Sequence, residues 1–463
     1  MCGIIGLIGK YNNNIGFTLI EGLLHLQHRG QDGVGLCDDK LTIKAKGLVK
    51  NIMNDSNIKN LNGNIGIGHV RYSTTGIHNE ESLQPIESNY NINSINYSIK
   101  LSHNGNITNT EYISNIINKN CCSDTQYIIE LFIHKLNFII SNKNTQLTND
   151  IIFEVGNYLI DVLKGSFNLL ILIKNFGLVV IRDKYGIRPL VYGNNKTDYI
   201  IASETCVLDN LNFELIRDVK PGEIIIFKEN NYPSFNITSS KSILHSCLFE
   251  YIYFARPDSI INGINVYNSR YNLGRILGKK IKENKIYHNV DVIIPIPDSS
   301  LPFAIGVSDV MNIPLSISIV KNNYVDRTFI MENTGVINKS IKRKLNLIKQ
   351  DFSGKNIIFV DDSIVRGNTS KYVALKAKQS GAKDIHFVSG SPKVCYSNLY
   401  GIYIPTQEEL IGYSRSEENI ADIIGATSVI YNDLQDVIEC LQKMNTNKKF
   451  NFEVSMFNNI HPN

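Results

Sequence analysis

The chain has 463 residues, 43% hydrophobic and 19% charged, with a formal net charge of +4. That is length for two or three domains with separate cores, in an ordinary globular composition, and the charge is too small to point to nucleic acid. No run approaches the roughly 18 apolar residues that cross a bilayer, no basic start precedes a long apolar segment, and the eight cysteines form no CxxC framework, so a cytoplasmic enzyme with no membrane or nucleic-acid partner is expected.

Met1-Cys2-Gly3-Ile4-Ile5-Gly6-Leu7-Ile8-Gly9 predicts a strand with a thiol at its tip. After removal of the methionine, Cys2 carries a thiol and a free α-amine with pKa values of roughly 8.5 and 7.7–8, matched for proton transfer near neutral pH. Nucleophile and base then share one residue. An N-terminal cysteine alone usually has no such role, so its companions decide. Residues 18–27 place Leu19, Leu23 and Leu26 on one helical face and run into His28-Arg29-Gly30-Gln31-Asp32-Gly33. Residues 66–76 predict a strand leading to Arg71 on a Gly- and Thr-rich turn, residues 101–108 an Asn104-Gly105 turn after another strand, and Ser123-Asp124-Thr125 follows a short helix. This is a kit for an amino-acid amide. Arg71 can fork onto an α-carboxylate, Asp124 can pair with an α-ammonium, and Asn104 with the Gly105 amide can hold a tetrahedral oxyanion. Taken singly, Arg71 is equally a surface ion pair and Asn104-Gly105 a hairpin turn.

Residues 166–173, 178–182, 199–203 and 223–227 predict strands of one antiparallel system, and the charged loop 182–190 reads as structural, with a domain-contact role. Polar residues 228–240 mark a domain boundary. Gly66-x-Gly68 lacks the third glycine of a dinucleotide fingerprint, residues 274–280 fall one short of a P-loop, and no HExxH or EF-hand pattern occurs.

Beyond the boundary, the aromatic run 247–259 reads as core packing, and residues 290–296, 315–320, 357–360 and 385–388 alternate with helices as strands of a parallel, doubly wound sheet. Four consecutive apolar residues at 357–360 predict a strand buried on both faces, ending abruptly in Asp361-Asp362. A charge pair is too costly to bury unpartnered, so these acids belong at the strand's carboxyl end, facing a ligand, a metal or solvent. The turn with Gly367 and then Thr369-Ser370 opens a helix over 371–379, offering free amides and hydroxyls to a phosphate. Carboxylates for ribose hydroxyls beside a phosphate cradle suggest a sugar phosphate. Five Lys/Arg fall within 339–349. They read as a solvated basic face, as a nucleic-acid patch, or as part of a loop whose Arg327 and Lys344 close over a polyphosphate and stabilise departing diphosphate.

Cys2, Arg71, Asn104 and Asp124, in this order, resemble the glutamine amidohydrolase domain of the N-terminal-nucleophile class. The string 357–370 resembles the phosphoribosyl diphosphate motif of type I phosphoribosyltransferases. With the basic loop between, the chain is similar over about residues 2–440 to the amidophosphoribosyltransferase family. The resemblance implies an α+β glutaminase built as an αββα sandwich (2–235, a type 2 glutamine amidotransferase domain), an α/β type I phosphoribosyltransferase domain (245–440) and a C-terminal tail (441–463). It implies the glutamine-dependent formation of 5-phosphoribosylamine, glutamate and diphosphate, the first committed step of de novo purine (IMP) biosynthesis. Cys2 would form the glutamyl thioester with Asn104 and Gly105 at the oxyanion, and Arg29, Gly30, Arg71 and Asp124 would bind glutamine. Tyr253, Arg327, Lys344, Asp361, Asp362, Ser363, Arg366, Gly367 and Thr369 would bind phosphoribosyl diphosphate, with Mg²⁺ on Ser299, Asp361 and Asp362.

A homo-oligomer, dimer or tetramer, and feedback by purine nucleotides are implied in the same way. One branch of the family carries an iron-sulfur cluster on four cysteines. Here Cys247 keeps one position, Asn398 stands at the second, and the terminal pair falls at Cys440-Leu441-Gln442-Lys443, so no iron-sulfur cluster is expected. The family's N-terminal propeptide is absent as well, so removal of methionine is expected to suffice for maturation. Two rival readings remain. Another glutamine-dependent transferase, such as the hexosamine-forming type, would need a sugar-isomerase half. A phosphoribosyl-diphosphate-sensing regulator would not need Cys2, Arg71, Asn104 and Asp124 together.

Overall fold

A computed structural model describes residues 2–9, 14–72, 80–92, 95–196, 198–229, 231–237, 242–284, 287, 289–322, 344–402, 406–445 and 450–462. The first half is built on strands β1 (Gly3–Ile8), β2 (Gly33–Asp38), β3 (Thr42–Lys46), β4 (Ile65–Arg71), β5 (Ile86–Ile92), β6 (Ile95–Ile107), β7 (Gly165–Ile173), β8 (Gly177–Arg182), β9 (Val191–Asn195), β10 (Asp198–Ala202), β11 (Glu214–Asp218), β12 (Glu223–Phe227) and β13 (Ser234–Ile237). They form two antiparallel sheets, in the orders β11-β9-β10-β1-β4-β2-β3 and β13-β12-β8-β7-β6-β5. Ile4, Ile67, Leu170, Leu178 and Ile225 interdigitate between the sheets. Helix Ile15–His25 covers the outer face of the first through Leu19 and Leu23, and helices Asp124–Lys143 and Asn149–Val162 cover the second. The layers run α-β-β-α, and because each sheet is covered on both faces its central strands carry continuous apolar runs, as at 169–173.

That continuity explains two differences from the sequence pattern. Residues 199–203 join the other sheet, pairing with β1 at Ile5↔Ala202, rather than the sheet of β7 and β8, since strands apolar on both faces carry no mark of which sheet they enter. Asn104-Gly105 is no turn. It lies within β6, opposite Asn168 and Phe167 of β7. The glycine serves close approach, because a Cβ at Gly105 would fall 2.0 Å from the Ser166 carbonyl oxygen.

The second half holds β14 (His245–Cys247), the short ribbon β15 (Ile260–Ile261) and β16 (Ile264–Asn265), then β17 (Val292–Pro295), β18 (Ile319–Lys321), β19 (Leu345–Leu347), β20 (Ile357–Asp361), β21 (Ile385–Ser389), β22 (Ser428–Tyr431) and β23 (Asn451–Glu453). Its parallel sheet has the order β17-β20-β21-β22. Helices Val266–Lys282 and Leu301–Met311 pack on one face, and Asn368–Gln379 and Glu417–Ile424 on the other. The strand at 428–431 escaped the sequence pattern because only four residues separate turn signals. Residues 315–320 do not form one sheet strand. Leu315 alone bridges to Ile293, while Ser316 and Ser318 hydroxyls both turn to Asp351 and draw the chain away, so that β18 pairs with β19 as a separate ribbon. That ribbon flanks residues 323–343, so Arg327 lies outside the described residues. Near the end of the chain β23 runs parallel to β14 with Cys247 opposite Glu453, and Phe452 and Met456 are buried.

Candidate functional site

Cys2 stands just before β1, which pairs with β4 from Gly3↔Val70 onward. Its main-chain N–H donates to Asn104 Oδ1 at 3.3 Å, and its Sγ lies 3.9 Å from the Tyr72 carbonyl oxygen. Asn104 is fully buried, and its Nδ2 has no partner among the described residues. An unsatisfied buried donor costs about 1–3 kcal/mol. A carboxamide held by its oxygen, with its NH₂ unpaired beside a thiol, is the donor an oxyanion requires. Gly105→Ala would push β6 off the Ser166 carbonyl and displace the amide that follows Asn104. The expected result is a fall in glutaminase rate of about 10²-fold, read by glutamate release, with a lowered melting temperature.

Gly30 packs on the main chain of Arg71, where a Cβ would fall 2.5 Å from the Arg71 carbonyl carbon, and Asp32 N–H donates to the Arg71 carbonyl oxygen at 2.9 Å. These contacts seat the half-buried Arg71 at the end of β4, next to the strand of Cys2. Asp124 opens helix Asp124–Lys143 behind the Ser123 cap, and its Oδ2 accepts from Ile107 N–H at 3.4 Å. The carboxylate is thus brought to the end of the strand that carries Asn104 and Gly105.

Two histidines here had no assigned role in the sequence pattern. His103 Nδ1 lies 3.2 Å from Thr125 Oγ1 and 3.6 Å from Asp124 Oδ2, and burial lowers its pKa although Asp124 opposes this. His69 is fully buried, neither ring nitrogen has a partner among the described residues, and burial, reinforced by the Arg71 charge, pushes its pKa down to about 3. The folded protein therefore keeps His69 neutral where the unfolded chain takes up a proton, below about pH 6.5. The unfolded state binds more protons between these values, so stability present above pH 6.5 is lost as pH falls toward 3, at about 1.4 kcal/mol per pH unit. Urea midpoints measured from pH 7 to 4 should fall less steeply in His69→Gln, and an unchanged slope would assign the acid limb elsewhere.

Sequence reading also missed two acids at the junction of the halves. Arg29 is buried, and its Nε donates to the Cys2 carbonyl oxygen at 3.0 Å. Its Nη1 pairs with Glu204 at 2.5 Å and its Nη2 with Glu250 at 2.7 Å. Glu204 also meets His28 Nε2 at 2.7 Å, Arg256 N–H at 2.9 Å and Ser259 Oγ at 2.7 Å. Burial alone would favour its neutral form, but His28 and Arg29 hold it well below the usual carboxylate range. The signal for Glu250 was legible, a lone charge inside the aromatic run 247–254. On the far side of the site, Ser166 Oγ and Arg188 Nε both donate to the Tyr400 carbonyl oxygen, at 2.9 and 2.8 Å, and Asn106 Nδ2 donates to that of Leu399 at 2.8 Å.

At the end of β20, Asp361 and Asp362 are almost fully buried. Ser299 Oγ donates to Asp362 Oδ2, Ser363 Oγ to Asp362 Oδ1 at 2.6 Å, and Asp362 N–H to Asp361 Oδ1 at 3.0 Å. Burial, with the charge of Asp362, pushes the Asp361 carboxyl well above the usual range. This oxygen set suits a hard divalent cation. Among the described residues no group of three or more His, Cys, Asp or Glu could hold a metal, so such a cation would draw part of its shell from a bound ligand. Gly367 has φ of 74° and precedes helix Asn368–Gln379, with Thr369 in its first turn, which leaves amides facing the acid pair's end of the sheet. A Cβ at Gly367 would lie 2.5 Å from Ile411 Cδ1. Arg366 pairs with Glu409 at 3.0 Å, Tyr253 stacks near Phe249 at 5.7 Å between centroids, and the Lys344 carbonyl oxygen accepts from Asn322 N–H at 2.8 Å at the base of the ribbon.

The Cys247 thiol is pushed up to about 12 by burial. Beside it are Arg188, whose Nη1 lies 3.5 Å from the sulfur, and Glu453, its strand partner, to whose Oε2 Asn398 Nδ2 donates at 3.1 Å. Cys440 lies on helix Leu434–Met444 and belongs to the same buried apolar cluster as Cys247.

A glutamine amidotransferase domain family matches residues 69–210 and a phosphoribosyl transferase domain family residues 266–389. The amidophosphoribosyltransferase of Pseudomonas aeruginosa is 40% identical over 455 residues, covering 95% of this chain and 89% of the relative. That of Escherichia coli is 38% identical, covering 100% and 92%. The chain belongs to the amidophosphoribosyltransferase family. The yeast relative, from Saccharomyces cerevisiae, is 35% identical over 99% of this chain and 91% of its own. Among solved structures, glutamine phosphoribosylpyrophosphate amidotransferase from B. subtilis, complexed with ADP and GMP, superposes with a TM-score of 0.85 at 31% identity, covering 100% of this chain and 97% of that one. Amidophosphoribosyltransferases are pentosyl transferases that carry out the glutamine-dependent first step of purine biosynthesis, and this chain makes 5-phosphoribosylamine, glutamate and diphosphate from glutamine and phosphoribosyl diphosphate. The regulator and hexosamine-type readings fall with that result. Among the described residues no helix is long and apolar enough to cross a membrane.

Proposed function

We propose that the residues brought together here divide the reaction as follows. With methionine removed, the Cys2 thiol passes its proton to its own α-amine and attacks the glutamine carboxamide carbon. Asn104 Nδ2 and the Gly105 amide hold the oxyanion; the protonated amine returns the proton to the leaving ammonia, and water then cleaves the thioester to glutamate. Arg71 takes the α-carboxylate of glutamine and Asp124 its α-ammonium, while Arg29 and Gly30 form the adjoining wall. The observation that carries this is the unpaired Asn104 Nδ2 on the residue whose Oδ1 lies 3.3 Å from Cys2 N.

In the other half, Asp361 and Asp362 hold the ribose hydroxyls, and Ser363, Arg366, Gly367 and Thr369 hold the 5-phosphate at the helix start. Ser299, Asp361 and Asp362 with the diphosphate oxygens would hold Mg²⁺, which supplies charge neutralisation for the departing diphosphate. By the family resemblance Tyr253, Arg327 and Lys344 also bind this substrate, Arg327 from outside the described residues. The enzyme works in the cytoplasm as a homo-oligomer, under feedback by purine nucleotides, a reading supported by the ADP and GMP of the B. subtilis relative. It carries no iron-sulfur cluster, since Asn398 and Glu453 offer oxygens and an amide where thiolates would be needed, and stoichiometric iron in the purified protein would refute this. Glutaminase activity stimulated by phosphoribosyl diphosphate tests the division, and glutamate release indifferent to that substrate would count against it.

A further inference from the structure

We propose that Glu250, a residue of the phosphoribosyltransferase half, is a positioning residue for the glutaminase nucleophile, acting with Glu204 through Arg29 on the main chain of Cys2. The Cys2 carbonyl oxygen is held by Arg29 Nε at 3.0 Å and the Cys2 nitrogen by Asn104 Oδ1 at 3.3 Å, so both ends of the residue that carries the thiol are anchored. What aims the Nε–H is the other end of the guanidinium. Glu250 accepts from Nη2 at 2.7 Å and from Nη1 at 3.1 Å, and Glu204 accepts from Nη1 at 2.5 Å. All three side chains are fully buried, so the charges are unscreened and the planar fork has one orientation that satisfies both acids. Gly3 makes room for Val70, Leu26 and the arginine stem, which a Cβ there would meet at 2.9, 3.0 and 3.3 Å.

Glu250 begins the helical turn Glu250–Phe254. Arg270 clamps that turn by donating to the carbonyl oxygens of Tyr251 at 3.1 Å and Ala255 at 2.7 Å. Burial lowers the Arg270 pKa to about 10, against the charge of Asp362. Displacement of the turn would move Glu250, and the Arg29–Cys2 bond with it. The nucleophile is thus seated by a side chain 221 residues removed from Arg29, in the other half of the molecule.

The inference rests on Cys2 as nucleophile, and its test uses the full-length enzyme. Glu250→Gln is expected to lower kcat with glutamine about 10²-fold and to change the glutamine KM less than about threefold, as misplacement rather than lost binding would. Synthesis from ammonia, staying within about threefold of wild type, shows the same protein to be folded. Because Glu250→Gln leaves both Arg29 and Arg188 short of a buried partner, Arg29→Met and the double variant Arg29→Met with Glu250→Gln are measured beside it, and the double loss should fall well short of the product of the two single losses. Equal loss with both nitrogen sources, a raised KM at unchanged kcat, no loss at all, or a multiplied loss in the double variant would each overturn the proposal. Glutamine-dependent synthesis surviving in Cys2→Ala would instead sink the nucleophile assignment, and the proposal with it.

Discussion

Cys2→Ala is expected to reduce synthesis from glutamine at least about 10³-fold while synthesis from ammonia stays within about twofold of wild type. The asymmetry follows from where the thiol stands. Cys2 lies at the edge of the two-sheet half, held by Asn104 and Arg29, whereas the acid pair closes a strand of a separate parallel sheet. Removing the Sγ leaves the main-chain bonds of residue 2 in place, and alanine fills a position that is only half-buried, so the fold is retained. Parallel assays with glutamine and with ammonium at saturating phosphoribosyl diphosphate read the result. Survival of glutamine use, or equal loss of both, would show that the nucleophile is elsewhere.

Asp361→Asn carries the second large effect, a loss of about 10² to 10³-fold in synthesis from either nitrogen source, with basal glutaminase lowered less than about threefold. Burial and the neighbouring Asp362 already push the Asp361 carboxyl toward its neutral form, so an isosteric amide does not unsettle β20 and removes the like-charge contact. What the amide takes away is one negative oxygen from the set that would grip ribose hydroxyls and Mg²⁺. The sign for stability follows. A carboxyl whose folded pKa is raised costs stability above that pKa and stops costing it below the unfolded value, so Asp361→Asn should be more stable than wild type at neutral pH and converge with it in acid. Equal loss of synthesis and glutaminase would return Asp361 to a structural strand end.

Legibility of this molecule followed the range of the interaction. The strand at 357–361 and its two acids are contiguous, and the same residues that end the apolar run begin the site, so pattern and chemistry coincide. The helix at 124–143 went unread, although the Ser123 cap and the periodicity of Ile128, Phe132 and Leu136 mark it. Asn104-Gly105 misled because the dipeptide has two uses. In a hairpin its glycine supplies a positive φ, and here it lets β6 approach Ser166, a distinction that depends on a strand 60 residues away. His69 lies in the predicted strand that leads to Arg71 and drew no role there, since nothing in neighbouring residues says that both its ring nitrogens will be buried without partners among the described residues.

The sequence by itself determined the local chemistry: a thiol next to the initiator methionine, an arginine after Gly68-His69-Val70, an acid pair on an apolar strand, and a glycine opening a phosphate-ready helix. These are properties of residues a few bonds apart, and their energetics are set before the chain folds. Only the tertiary structure decided that residues 199–203 pair with β1, that residues 451–453 lie along β14, and that Glu204 and Glu250 close on Arg29 from two halves of the chain. Such pairings depend on which apolar surfaces meet, and continuous apolar strands can meet in more than one order. A buried carboxylate also needs its cation in place, and Arg29 and Glu250, 221 positions apart, become partners only when the chain between them has packed.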